Sequence, residues 1–112
     1  MESGGLGKTI RDSILILIFE FIGTMFLSLL YNCASMYRDF AGLLLGIFVL
    51  LIFGAKISGS HYNPCVTLAF MFRRDVGRFS RILGIAYILF QLAGAFCGSL
   101  LFLMYTSKGG SL

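Results

Sequence analysis

The residues whose side chains could take part in chemistry lie together in one polar stretch, residues 58–65 (SGSHYNPC). This stretch holds the only histidine and the only proline of the chain, His61 and Pro64. A lone histidine has no partners at metal-ligand spacing, so we interpret His61 as a loop-shaping residue rather than a metal ligand or a pH-dependent gate. The sequence has no Ser/His/Asp, Cys/His or paired-carboxylate arrangement. It therefore predicts no enzyme, no catalytic residue, no cofactor and no metal site.

The composition around this stretch is that of a membrane protein. Of 112 residues, 58% are hydrophobic and 12% are charged, about half of the roughly 25% charged residues of soluble domains. We therefore predict an all-α integral membrane protein with a single domain over residues 1–112. A chain of this length has no room for a separate soluble catalytic domain beside several spans of about 20 residues.

The apolar segments predict three transmembrane helices and one shorter element. The spans are expected at about 13–30, 40–57 and 82–105. Between the last two, residues 64–72 are apolar, but a helix of that length covers about 13 Å, under half of a roughly 30 Å hydrocarbon core. Asn63 is a favourable N-cap, and Pro64 suits the first helical position. We predict a re-entrant loop and half-helix over residues 58–72, which returns to the side from which it came.

The basic residues predict an orientation for this layout. Lys8 and Arg11 precede the first span, and the basic connection at residues 73–81 precedes the last one. A re-entrant half-helix puts both groups on the same side, which is the cytoplasmic or matrix side by the positive-inside rule. Because these residues flank apolar segments and no aromatic, polar surface accompanies them, membrane lipid is a predicted partner and nucleic acid is not.

The loop itself predicts a site for neutral molecules. Irregular backbone at membrane depth occurs only where it is buried in protein or lines a watery cavity. The carbonyls of Gly59, Ser60 and His61 are therefore expected to face a pore. The Asn63 amide lies at the positive end of the half-helix dipole, which orients hydrogen-bonding molecules and disfavours cations. A carboxylate within the first span, Glu20, needs partners, and we predict that it braces the loop through backbone N–H groups or His61. The alternative is a carboxyl in the bundle interior with no role in transport.

Three motifs in this order resemble the aquaporin and aquaglyceroporin (major intrinsic protein) family. The polar stretch resembles the Ser-Gly-x-His-x-Asn-Pro-Ala signature. Residues 20–24 (EFIGT) resemble the first-helix motif, and residues 91–95 (QLAGA) resemble the third-helix motif. The resemblance covers nearly the whole chain and implies one half of an inverted repeat. It implies single-file passage of water or small neutral solutes, while Gly23, Gln91 and Gly94 are expected to pack helices.

The sequence departs from the family pattern at several points. It has one Asn-Pro pair where the resemblance implies two, and it lacks the arginine that narrows the pore in the second half. Cys65 replaces the signature alanine. Leu43 falls near the position of an aromatic residue that narrows many water channels, so it is a possible constriction residue.

These features leave three hypotheses for function. The first is a channel component that pairs with other membrane protein subunits supplying the complementary second half. The second is a non-conducting half that serves as a structural subunit of a larger membrane complex. The third is the N-terminal part of a longer channel, a hypothesis that the polar tail at residues 106–112 weakens. The solute and the membrane stay open.

Overall fold

The computed structural model describes residues 2–73 and 81–110 of the chain. Its elements are α1 (Glu2–Tyr37), α2 (Phe40–Gly54), α3 (Pro64–Met71), α4 (Arg81–Tyr105) and a π-helical turn (Thr106–Gly110). No strand occurs within the two described ranges, so the predicted all-α class is confirmed. Of the predicted basic connection at residues 73–81, positions 74–80 lie outside the described residues.

Two stretches are long and apolar enough to cross a membrane by length and composition. They are Thr9–Tyr37, with 29 residues, and Arg81–Lys108, with 28 residues. By contrast, α2 is apolar throughout but has 15 residues, which is about 22 Å of helix. It ends at Gly54, whose carbonyl accepts hydrogen bonds from the N–H groups of Ile57, Ser58 and Gly59 at 3.0, 2.9 and 3.1 Å. The predicted segment 40–57 is therefore a helix followed by a turn.

The first helix extends beyond the apolar run at both ends. It begins at Glu2 rather than near residue 13, and no proline interrupts the residues that precede the apolar run. It ends where Arg38 adopts a left-handed φ of 58° and the N–H of Asp39 donates to the Ala34 carbonyl at 3.0 Å. The Asp39 carboxylate then caps α2 by accepting from the Gly42 N–H at 2.9 Å.

The helices α1 and α4 pack closely along one face of α4, whose first turn also meets Met71 of α3. The buried residues of that face recur every three or four positions, as expected for one side of a helix. They are Gly84, Tyr87, Gln91, Gly94 and Gly98.

Glycines permit the close approach of these two backbones. A Cβ on Gly94 would collide with the carbonyl of Phe21, and one on Gly98 would collide with the carbonyl of Met25. Gly23 lies differently, because a Cβ there would meet the ring of Tyr62, which belongs to the loop. The pair α1–α4 is therefore a frame against which the loop packs.

The outer surface of α2 is apolar. Leu44, Phe48 and Ile52 follow one another at four-residue spacing and are 68%, 61% and 62% exposed. A continuous apolar face of this kind belongs against lipid or another membrane protein rather than water. Together with the two long apolar helices, it marks an integral membrane protein.

Candidate functional site

The loop between α2 and α3 is built round one carboxylate, Glu20, which has no exposed surface. Its Oε1 accepts hydrogen bonds from Ser58 Oγ at 2.6 Å and from the His61 N–H at 3.1 Å. Its Oε2 accepts from the Tyr62 N–H at 2.8 Å and from Gln91 Nε2 at 2.7 Å. All four partners donate, which suits an ionised carboxylate because that group only accepts. The bonds replace the hydration that burial removes.

These contacts tie distant parts of the chain together. The loop residues bonded to Glu20 lie 38, 41 and 42 positions away from it, and Gln91 lies 71 positions away. The donors include the backbone N–H groups that the brace hypothesis requires. The role of Glu20 as a brace stays a prediction, and the geometry on which it depends is present.

The loop backbone adopts an uncommon conformation. Gly59 has a φ of 89°, and Ser60 and Tyr62 have φ values of 54° and 50°. A residue with a side chain costs roughly 1–2 kcal/mol in the left-handed region. The last turns of α2 hold both side chains in place: Ser60 Oγ donates to the Leu51 carbonyl at 2.7 Å, and Tyr62 Oη donates to the Leu50 carbonyl at 2.9 Å.

The helix α4 holds the loop from another side. Tyr87 Oη donates to the Ser58 carbonyl at 2.6 Å. The imidazole of His61 lies between two aromatic rings, stacked on Phe70 at a centroid distance of 4.7 Å and tilted against Tyr87 at 4.9 Å. His61 is only 8% exposed, so its ring is part of the loop packing.

The half-helix α3 begins at the end of this loop. Asn63 has an extended backbone, and its Oδ1 accepts from the Cys65 N–H at 2.8 Å. Pro64 is the first helical residue, as its fixed φ and missing N–H favour. The side chains of Asn63 and Cys65 are exposed. With 8 residues, or about 12 Å, α3 is too short to cross a membrane.

Comparison with known proteins supports the resemblance drawn from the motifs. Residues 11–111, nearly the whole chain, match the family described as Major intrinsic protein. The chain belongs to the major intrinsic protein family. One relative, an aquaporin PIP-type from Atriplex canescens, is 44% identical over 52 residues. That match covers 46% of this chain and 17% of the relative's length. No solved structure matches the chain.

Within this major intrinsic protein, the possible constriction residue lies apart from the loop. Leu43 is half-buried in the first turn of α2. It lines a cleft of about 210 Å³ together with Cys33, Tyr37 and Asp39. All residues lining this cleft come from α1, α2 and the turn between them, so the structure does not join Leu43 to the loop through it.

Gln91 has a larger part in the site than the packing role predicted for it. It is fully buried on α4, and its Nε2 donates to Thr67 Oγ1 at 2.9 Å as well as to Glu20. Sequence reasoning gave no role to Thr67 or to Tyr87. The position of Tyr87, four residues before Gln91, could have indicated that it faces the same neighbour. Thr67 lies four residues after the N-cap Asn63, and no feature of the sequence reveals its partners.

Proposed function

We propose that this protein is one half of a channel for water or small neutral solutes and that it needs a complementary second half. The observation that supports this most is the mouth of α3. Because Asn63 Oδ1 caps the helix, the Nδ2 donor group has no hydrogen-bond partner within residues 2–73 and 81–110, and the side chain is exposed. An amide donor at the positive end of a helix orients a neutral acceptor and disfavours a cation.

The construction of the loop also supports a functional role. It contains two left-handed residues with side chains, Ser60 and Tyr62, and it surrounds a buried carboxylate. Each of these features is unfavourable by itself, and strained backbone of this kind clusters at functional sites. The bonds to Glu20, α2 and α4 hold the strained loop in one conformation. A preformed loop can present its carbonyls to a solute without first having to be ordered.

The surroundings of α3 support the need for a second half. This helix packs against α4, while Val66 and Leu68 are 38% and 40% exposed and the mouth at Asn63 stays open. Unpaired polar groups facing lipid are costly, so a protein or a watery path must cover this mouth. The described chain has a single Asn-Pro pair, and a complementary half would supply the missing wall.

The second candidate is a non-conducting structural subunit of a larger membrane complex. The broad apolar face of α2 favours it, because a neighbouring subunit could pack there as readily as lipid does. Leu43, at the position where the resemblance implies an aromatic residue, leaves the predicted constriction incomplete in this half.

The first experiment purifies the chain from its own membrane in a mild detergent and identifies co-migrating proteins by mass spectrometry. The purified complex is then placed in liposomes, and osmotic shrinkage is measured. The proposal expects a partner with a second Asn-Pro half-helix followed by an arginine, and shrinkage well above that of protein-free liposomes.

Two variants make this test specific. Asn63→Leu removes the amide at the mouth and should abolish most of the added water flux. The matched control, Asn32→Leu, removes an amide whose hydrogen bond, among the described residues, is to the Ser28 carbonyl on the same helix, and it should leave the flux close to that of the unmodified complex. An assembly of unrelated membrane proteins without flux would contradict the channel proposal and favour the structural subunit.

A further inference from the structure

We propose that Glu20 sets the tautomer of His61 through a relay of two side chains, Gln91 and Thr67. The imidazole is held neutral, with its hydrogen on Nε2 and with Nδ1 as an acceptor. The relay consists of three contacts: Gln91 Nε2 to Glu20 Oε2 at 2.7 Å, Gln91 Nε2 to Thr67 Oγ1 at 2.9 Å, and Thr67 Oγ1 to His61 Nδ1 at 2.9 Å. Glu20, Thr67 and Gln91 are fully buried, and His61 is nearly so.

The first step fixes the orientation of the Gln91 amide. A carboxylate only accepts hydrogen bonds, so the atom 2.7 Å from Glu20 Oε2 must be the amide nitrogen. The reversed amide would bring two acceptor oxygens together. The amide oxygen, Oε1, is buried and has no partner among the described residues. The contact with Glu20 therefore determines the orientation even though Oε1 is left unsatisfied.

The second step fixes the direction of the Thr67 hydroxyl. This group has one hydrogen to donate and two lone pairs to accept with. Gln91 Nε2 donates to it and cannot accept from it. Within the described chain, its other hydrogen-bond contact is His61 Nδ1. The hydroxyl hydrogen therefore points at Nδ1.

The third step fixes which nitrogen of the His61 imidazole carries the hydrogen. A nitrogen that accepts from Thr67 carries no hydrogen, so the hydrogen of the neutral ring lies on Nε2. The opposite tautomer, or the imidazolium ion, would direct an N–H at Thr67 and leave the buried hydroxyl hydrogen without an acceptor. Such unsatisfied buried groups are rare in folded proteins.

The tautomer has a consequence for the loop surface. The Nε2 edge of the ring lies beside Gly59, within 3.6 Å of where a Cβ on that residue would be. Gly59 is exposed and contributes no side chain there. The loop thus carries an uncharged N–H group at this edge and gains no positive charge from its histidine. This inference depends on four buried side chains and not on whether the protein conducts.

The test uses nitrogen NMR of the ring. His61 is the only histidine in the sequence, so the full chain labelled with ¹⁵N-histidine in lipid nanodiscs gives one pair of ring signals. The proposal expects an unprotonated Nδ1 and a protonated Nε2 at neutral pH. Gln91→Glu keeps the size and shape of the side chain but replaces the donor beside Thr67 with an oxygen that can accept from the hydroxyl. The hydroxyl can then accept from an Nδ1–H group, and the Nδ1 signal should shift towards the protonated range.

The outcomes separate the relay from a general packing role. Thr67→Ser keeps the hydroxyl and should reproduce the wild-type spectrum, while Thr67→Val should shift the Nδ1 signal. A wild-type ring with its hydrogen on Nδ1, or with both nitrogens protonated, overturns the proposal. So does a Gln91→Glu spectrum identical to wild type in a chain with wild-type helicity. If Gln91→Glu does not fold, the serine and valine variants decide, and identical spectra for those two overturn the relay.

Discussion

Two connections between helices in this protein end in the same way but are held differently. One is the two-residue turn, Arg38 and Asp39, between α1 and α2. The other is the loop of residues 55–63 between α2 and α3. Each ends in an N-cap: Asp39 accepts from the Gly42 N–H at 2.9 Å, and Asn63 accepts from the Cys65 N–H at 2.8 Å.

The difference lies in where the remaining contacts come from. The turn is exposed, and its other hydrogen bonds are to neighbours within five residues. The loop buries Ser58 and residues 60–62. It is bonded to Glu20 on α1, to the Leu50 and Leu51 carbonyls on α2 and to Tyr87 on α4. The turn is thus specified by its own residues, whereas the loop is specified by three helices around it. Substitutions far from the loop in sequence should therefore disrupt it, while the turn should respond only to its own residues.

The largest expected effect is that of Glu20→Gln. The substitution keeps the size of the side chain but replaces one carboxylate oxygen with an NH₂ group. Each oxygen of Glu20 accepts from two buried donors, so two of the four donors lose their acceptor. Loss of bonds to a buried charged group predicts a decrease of about 3 kcal/mol or more in the free energy of unfolding. Chemical unfolding in mixed micelles measures this change, and amide hydrogen exchange should accelerate at His61 and Tyr62.

The control for this variant is Asp12→Asn, which neutralises an exposed carboxylate on the same helix. It should change stability by a few tenths of a kcal/mol, as surface substitutions commonly do. If Glu20→Gln behaved like Asp12→Asn, Glu20 would not be a brace, and the loop would be held by its own sequence.

The sequence predicts contacts between neighbouring residues more fully than contacts between residues that are far apart in the chain. The start of α3 could be predicted because Asn63 and Pro64 are adjacent in sequence and act on the helix that they begin. Glu20 could be assigned partners in the loop because a carboxylate at membrane depth requires donors. The bonds of Gln91 to Thr67 and of Tyr87 to Ser58 could not be predicted, since they join residues 24 and 29 positions apart.

Helix ends were the other feature that the sequence determined poorly. The apolar run at 13–30 indicates where lipid contact is expected, but a helix can continue beyond it in polar surroundings, as α1 does up to Tyr37. For α2 the reverse holds. The predicted span continues to residue 57, yet the chain turns after Gly54 because loop N–H groups bond to that carbonyl.

Tyr87→Phe should have the next largest effect. It removes the 2.6 Å bond from Oη to the Ser58 carbonyl and leaves that acceptor buried, which predicts a loss of about 1–2 kcal/mol. Tyr31→Phe is the matched control, because Tyr31 is half exposed and its hydroxyl has no partner in the described part of the chain. Equal unfolding curves for the two variants would show that α4 does not hold the loop through this bond.

The two N-caps provide a test of coupling. Asn63→Ala and Asp39→Ala should each reduce stability by about 1 kcal/mol, the usual contribution of such a cap. In combination with Glu20→Gln, the effect of Asp39→Ala should add within about 0.5 kcal/mol, since the turn and Glu20 have no common partner among residues 2–73 and 81–110. The effect of Asn63→Ala should shrink, because a loop already released by the first substitution no longer positions the cap. Additive effects at both caps would mean that loop and turn are equally local.

The smallest expected effects are changes in stability on glycine substitution, which should differ in sign between the turn and the loop. Arg38 and Ser60 have nearly the same left-handed backbone, with φ values of 58° and 54°. Glycine at either position relieves roughly 1–2 kcal/mol of strain and loses about 0.5–1 kcal/mol through the greater entropy of the unfolded chain. Arg38→Gly should therefore stabilise the protein by about 0.5 kcal/mol and raise its melting temperature slightly.

Ser60→Gly receives the same backbone relief but also loses the 2.7 Å bond from Oγ to the Leu51 carbonyl, a contribution of about 1 kcal/mol. Its melting temperature should stay level or fall, in contrast to that of Arg38→Gly. If both glycine variants gained the same stability, the Ser60 side chain would contribute nothing, and α2 would not anchor the loop there. A rise at Arg38 with a fall at Ser60 would show that the same backbone strain is left uncompensated in the turn and is offset by a neighbouring helix in the loop.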